Sequence, residues 1–500
     1  MTRSRDRVRD AITARLGVDA RALAAFRIAL GVVLIVDLTL RSRDLTAFYT
    51  DSGVLPRSTL TELYPAFARF SLHAMSGEAW VATLLFAFAG VAAAALAVGY
   101  RTRLATVLSL ALLLSLQARN PLVLNAGDTL LWQLLALGLL CPLGDRWSVD
   151  AVRRASSTTG PSRLTGGRLT GAVPALLLTF VVVLYLSNGL VKLRGTTWTE
   201  GTAVEQVFRL DYLYGPFGHV FGEFPAFLTL ATYGWLGLLV ASPLLIAFVG
   251  RLRSALVAAL VAAHLSMTFA LQLGVFPLVS ASALLPFFPS SVWDRIEQTV
   301  EPASARLREL AARGLDAEST GDQSASGKSR ERSAAAGTGR RLSAVIAAVL
   351  LVSLLAWNGM ALGIVSTPEP VADTADPSEN RWDMFAPDPP DNSKLYLTTA
   401  VTADGERFDA LYGDPVAGER SPSDARAYPT DRWRKYLVGL SVNADDDRDE
   451  QLAAYLCDRA ETITGERIDR VAVSSVLTDV TSLDDPGDLR TFDVATHECR

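Results

Sequence analysis

Nine apolar stretches with few charges dominate this 500-residue chain, near residues 22–40, 79–99, 104–118, 128–143, 172–190, 226–249, 254–273, 275–289 and 342–365. A helix crosses about 30 Å of hydrocarbon with roughly 20 such residues, so the pattern predicts a multi-pass membrane bundle, all-α, of about nine spans. Two stretches, 104–118 and 275–289, are short enough to be tilted, re-entrant or buried against each other, and one span fewer would reverse the far side of everything after it. Half of the residues are hydrophobic and the mean hydropathy is +0.26, too apolar for a soluble protein of this length.

Arginine placement gives an orientation. The basic tail 1–21 and the segments 99–103, 144–168, 250–254 and 330–341 fall on one side of a nine-span chain. That side is read as the cytoplasm, in a cell (plasma) membrane, with the first span serving as anchor rather than as a cleaved signal. The order along the chain is then a tail (1–21), a membrane domain (22–300), a Ser, Gly, Ala and charge-rich flexible cytoplasmic linker (301–341), a last span (342–365) and a region outside the cell (366–500).

That last region carries 29 Asp and Glu against 14 Lys and Arg, a balance of −15, against +10 for residues 1–365. An acidic surface of this kind suits a halophile-like exterior as well as an ordinary acidic domain, and it disfavours a nucleic-acid partner. Its text reads as a small α+β domain. "KLYLTTAVTADGERFDAL" (394–411) predicts a hairpin turning at "ADG", 450–463 has helical spacing, and 467–480 reads as a strand. Three cysteines exclude a disulfide scaffold. Cys141 ends a span and packs there, whereas Cys457 and Cys499 share the last region and either pair or stay free. The histidines have no metal-ligand spacing, so no metal is expected.

Charged and polar residues inside spans are the functional candidates, because each needs a partner or water. Arg27 and Asp37 share the first span but lie ten residues apart, about 15 Å on a helix, too far to pair with each other. Each either bonds to another span or reaches a membrane face, Asp37 beside Arg41. Asp128, behind Asn125 and Gly127, reads as a helix N-terminal carboxylate or as part of a cavity. His264, mid-span among alanines, is a packing polar group or a catalytic one. Lys192 stands out because lysine makes up only 4 of 47 basic residues and is otherwise absent before residue 328. Arginine stays protonated in proteins while a desolvated lysine can lose its proton, so Lys192 is either a candidate base or an interfacial anchor. The aromatic residues of the following loop, including Trp198, Phe208, Tyr212, Tyr214, Phe217 and Phe221, form an interfacial belt or wall a pocket for a flat ring system.

Several ordered pieces, "FRIALGVVLIVDLTLRSRD", "GYRTR", "WSVD", "GLVKLRGTTWTEG" and "HLSMTFALQLGVF" running to "PFFPSSVW", resemble the HTTM (horizontally transferred transmembrane) domain family over about residues 20–300. That family includes the membrane portion of vitamin K-dependent gamma-carboxylase. The most specific piece is "GLVKL…W.EG". The resemblance implies that Lys192 is the base, that His264 falls on a histidine position of the later helix, and that the site opens on the non-cytoplasmic face. "RWDMF" (381–385) is similar to a Trp-Asp-Met tract of the family. By the same resemblance the cofactor is a reduced quinone, a menaquinol or vitamin K hydroquinone type. The lysine deprotonates it, O₂ adds to its ring, and the strong base so formed takes a glutamate γ-proton before CO₂ capture, which implies an extracytoplasmic protein substrate. Where the carboxylases show Asn-Asn-His this chain has "NAGDTL", and its last region lacks the long propeptide-gripping part. Quinol oxidation or epoxidation therefore transfers more readily than protein carboxylation. The competing expectation is a non-catalytic membrane scaffold or export partner whose acidic domain binds something outside the cell.

Overall fold

The computed structural model describes residues 2–157, 167–299, 329–373, 376–379, 382–440, 448–480 and 489–499, with residues 329–340 as helical backbone only. Each of the nine apolar runs forms a helix. These are α1 (Ala20–Ser42), α2 (Ala79–Val98), α3 (Thr102–Arg119), α4 (Ala126–Leu140), α5 (Ala172–Lys192), α6 (Pro225–Val240), α7 (Gly250–Ala270), α8 (Phe276–Leu284) and α9 (Ser329–Ala361). Nine spans are not confirmed. Among the described residues five helices are long and apolar enough to cross a membrane: α1, α2, α5, α7 and residues 341–361 of α9. A sixth would require Phe276–Phe287 and Ser290–Thr299, bent by 105°, to act as one. For α4 and α6 the reason is length. Helices α4 and α6 stop at 15 and 16 residues, about 22–24 Å, because "CPLG" and "ASPLL" break the apolar runs that the sequence seemed to continue. The expected flexible linker (301–341) lies outside the described residues up to 328, and its end is the start of α9.

Local chemistry explains the helix ends. Asp19 caps α1 by accepting from the Arg21 backbone N–H, and Gly99, at φ 72°, ends α2 in the left-handed conformation. Helices α1 and α2 pack closely where Gly31 faces Ala93 and Ala97; a Cβ there would sit 2.7 Å from the Ala97 Cβ. Arg27 is fully buried and donates to the carbonyls of Ala97, Leu143, Arg146 and Trp147 at 2.6–3.3 Å, so its partners among the described residues are backbone carbonyls rather than a carboxylate.

The C-terminal domain is a four-stranded antiparallel sheet, β1 (Asn392–Thr402), β2 (Arg407–Asp409), β3 (Ile468–Asp479) and β4 (Arg490–Glu498), in the order β2-β1-β3-β4. The hairpin, the helix (α11, Arg448–Thr464, after α10, Asp431–Leu440) and the strand expected from the sequence are all present; α10 and β4 add to them. A disulfide joins Cys457 of α11 to Cys499, with Cα atoms 5.8 Å apart. This domain is docked. One hydrophobic core runs without interruption from Phe48, Val54 and Val123 of the membrane domain to Trp433, Tyr436 and Leu437 of α10, with the Phe48 and Trp433 rings 4.8 Å apart.

Candidate functional site

Helices α5, α6 and α7 splay around a cavity of about 350 Å³, closed on one side by the loop 198–221 and on another by the segment Trp382–Phe385, which follows α9. The walls are almost wholly apolar and aromatic: Tyr185, Trp198, Phe208, Phe221, Trp235, Phe276 and Trp382 all contribute. Their size and character match a pocket for a flat apolar small molecule, for which roughly 300–1,000 Å³ is usual. Asn188, Lys192, His264 and Ser266 are the polar side chains that interrupt the wall beside Tyr185.

Lys192 ends α5 and is 1% exposed. Its Nζ donates to the carbonyls of Met384 and Phe385, each at 2.7 Å, and lies 4.0 Å from the centre of the Trp198 ring. No carboxylate stands within ion-pair distance of it among the described residues, although Asp383 and Asp388 act on it from further away. The strap that supplies these carbonyls is fixed independently of the lysine. Asn188 donates to Trp382 and Met384, Trp198 Nε1 donates to Phe385 at 2.8 Å, and Asp388 accepts from both the backbone and the hydroxyl of Thr197. Gly195 is required beneath it, since a Cβ there would come within 2.1 Å of the Pro387 carbonyl oxygen. With two N–H groups committed to carbonyls, a neutral amine at this place would have its lone pair as its one remaining polar feature.

His264 is fully buried on α7, among Tyr185, Trp235 and Phe276. Its Nδ1 is 2.8 Å from the Leu260 carbonyl one turn earlier, which assigns the proton to Nδ1 and makes Nε2 an acceptor. That Nε2 has no hydrogen-bond partner among the described residues. A buried acceptor left unpaired in an otherwise apolar wall costs free energy, and a ligand hydroxyl would satisfy it.

The family model of the HTTM domain matches residues 17–293, from the cap of α1 to beyond the α7–α8 turn. The chain belongs to the HTTM domain family. It is accordingly a membrane protein, and the cavity lies between helices of its HTTM domain. No curated protein and no solved structure matches the chain.

Of the residues singled out in the sequence, Lys192, His264, Trp198, Phe208 and Phe221 meet at one cavity, whereas Asp128, Tyr212 and Phe217 lie elsewhere. Tyr212 is buried against Tyr428 of the C-terminal domain, ring centres 6.1 Å apart. Phe217 is half exposed and packs on Phe269. Asp128 is not in the cavity. It closes a capping box with Asn125 at the start of α4 and joins a buried ion cluster, the second polar centre of the molecule. There Asp37 accepts from Arg41 Nε (2.7 Å) and Arg432 Nη2 (2.9 Å), and Asp128 pairs with the same two arginines. Arg41 also donates to Tyr49. Asp37 thus finds both its partners, one a turn away and the other on α10, nearly 400 residues along the chain.

The strap was the least visible part of the site. Trp382, Met384 and Phe385 lie beyond the HTTM match, and backbone carbonyls carry no residue signature. The resemblance of "RWDMF" to the family tract was their only trace; Arg381 is outside the described residues.

Proposed function

We propose that the protein is a quinol-dependent membrane enzyme, an oxidase or epoxidase rather than a protein carboxylase, with Lys192 as general base. The observation that carries this reading is the joint placement of Lys192 and His264 on one aromatic-walled cavity, the amine held by two carbonyls and the imidazole with a free acceptor. Aromatic walls suit a flat ring, and the two nitrogens suit its hydroxyls. A reduced quinone, when bound, supplies a ring hydroxyl whose deprotonation opens the ring to oxygen. The strap carbonyls orient the lysine, and the lone pair that they leave takes the hydroxyl proton; His264 Nε2 accepts from the other hydroxyl and fixes the ring. Closing the cavity with Trp382 and Phe385 excludes water, which strengthens both contacts.

The test is quinol oxidation by purified protein, with reduced menaquinone and a vitamin K-type quinol offered in turn. General-base catalysis contributes about 10²–10⁴-fold, so Lys192→Arg, which keeps the charge but cannot deprotonate, should reduce turnover by at least about 100-fold. Turnover that never occurs, or is indifferent to Lys192→Arg, overturns the reading in favour of a non-catalytic scaffold. Incorporation of labelled CO₂ into a glutamate-containing peptide would instead move the activity toward carboxylation.

We further place the N-terminus in the cytoplasm and the C-terminal domain outside the plasma membrane. Arginine in the short loops supports this, as does the Cys457–Cys499 disulfide, a bond that persists in oxidising compartments. A membrane-impermeant maleimide should label Cys499 on intact cells only after reduction. Labelling that needs lysis would reverse the assignment.

A further inference from the structure

A second cavity, of about 280 Å³, lies where α7 begins, bordered by Arg168, Arg253, Gly250 and Ser290. Arg253 precedes His264 by eleven residues of the same helix, about 16 Å, so this cavity is separate from the Lys192 site and toward the other end of the bundle. Arg253 is 2% exposed. One of its N–H groups reaches the Arg15 carbonyl at 3.1 Å and its guanidinium carbon lies 5.3 Å from the centre of the Phe287 ring, but Nε and Nη2 have no hydrogen-bond partner among the described residues. The Nε of Arg168 has none either. Neither arginine forms an ion pair among the described residues. Three acids of the adjoining segments are already engaged: Asp19, Asp294 and Glu297 all pair with Arg21 at 2.8–3.0 Å.

Two helices also start here. Gly250 opens the 21-residue α7, whose preceding residue Val249 offers no side-chain cap, and Ser290 opens Ser290–Thr299. Their first-turn N–H groups add positive potential to that of two like-charged guanidinium groups. Buried donors left unpaired require a partner, and two neighbouring cations without a counter-charge require an anion.

We propose that this cavity is an anion site that takes a phosphate group, bound by Arg168 and Arg253. The planar fork of arginine matches phosphate oxygens, and helix N-termini favour the same charge. Arg253 stands in the first turn of α7 and Arg168 just before α5, and the ends of membrane helices lie near the level at which phospholipid headgroups carry their phosphates. Inorganic phosphate presents the same oxygens.

The test uses the full chain in detergent. Thermal unfolding is followed with inorganic phosphate against chloride at equal ionic strength, and retention of phosphatidylglycerol is followed by native mass spectrometry. The unsubstituted protein should show a phosphate-dependent rise in Tm, a retained anionic lipid, or both. Arg168→Gln and Arg253→Gln should each weaken the effect by about tenfold, the worth of a charge-assisted pair. Lipid retention without a phosphate effect assigns the site to headgroups; a phosphate effect alone assigns it to the free anion. If Arg253→Gln does not fold, Arg168→Gln decides, because that side chain is only partly buried. Neither effect in the unsubstituted protein, or an effect undiminished in both variants, overturns the proposal.

Discussion

The molecule has two buried polar centres, and they are built on opposite principles. In the ion cluster two carboxylates, Asp37 and Asp128, meet two guanidinium groups, Arg41 and Arg432, and every charge has an opposite neighbour. At the cavity a single amine meets carbonyl oxygens and the Trp198 ring but no carboxylate, and an imidazole nitrogen has no hydrogen-bond partner among the described residues. Arg27 shows that carbonyls alone are not the mark of a functional site. It is held by four of them, yet no described cavity touches it. What separates Lys192 from Arg27 is the hollow beside it and the unpaired acceptor facing the same hollow. A closed set of charges fixes structure, while an open set is free to act on a ligand.

The sharpest way to break this comparison is to remove one member of each centre. Arg432→Met leaves Asp37 and Asp128 sharing one cation in a dry interior, which should cost about 3–5 kcal/mol and loosen the C-terminal domain. Lys192→Met should cost less than about 1 kcal/mol. The two carbonyls that lose the amine each keep a donor, Asn188 for Met384 and Trp198 for Phe385. Denaturant unfolding of both variants, with limited proteolysis of the C-terminal domain, checks this. Comparable losses in the two would mean that the lysine is structural after all. A double change, Asp128→Asn with Arg432→Met, restores charge balance and should recover more than half of the single-variant loss; no recovery would dissolve the idea of a matched set.

A smaller effect on stability, but a large one on chemistry, separates the centres by function. Asp128→Asn should lower turnover only through stability, and turnover should return once the protein is assayed well below its unfolding temperature. Lys192→Arg should lose about 100-fold at any temperature. Equal, temperature-independent losses would place Asp128 in the reaction despite its distance from the cavity wall.

Sequence reasoning reached these centres unequally, for physical reasons. Lys192 and His264 were legible because polar residues in apolar helices must be satisfied, and a lone lysine in an arginine-rich chain is conspicuous. Asp37 and Asp128 carried the same signal, but their second partner, Arg432, sits in a soluble-looking stretch where an arginine is ordinary. Nothing local says that α10 enters the bundle. Helix positions were equally legible, since hydrophobicity reports burial in protein or lipid alike, and this is also why their number as spans was not. Helix α4 is apolar because it packs against α3 and α8, and its 15 residues need not cross a bilayer. The strap was hidden for a different reason: its chemistry is backbone, and any residues could have supplied those oxygens.

The finest discrimination falls on His264, where packing and binding predict opposite signs. As a packing group, its Nδ1–H bond to Leu260 stabilises α7, and His264→Leu should lower Tm. As a binding group, it carries an unpaired buried acceptor in the ligand-free protein, so replacing it with leucine should leave Tm unchanged or raise it slightly. Over the same change, affinity for a quinol should fall about 2- to 10-fold, the value of one net hydrogen bond of roughly 0.5–1.5 kcal/mol. Quinone content of the purified protein, measured by extraction and mass spectrometry alongside the Tm, reads both at once. Lower Tm with undiminished quinone would make the imidazole a core residue. Steady Tm with reduced quinone would make it the ligand's acceptor, because only an atom whose partner is absent from the protein can be lost without harm to the fold.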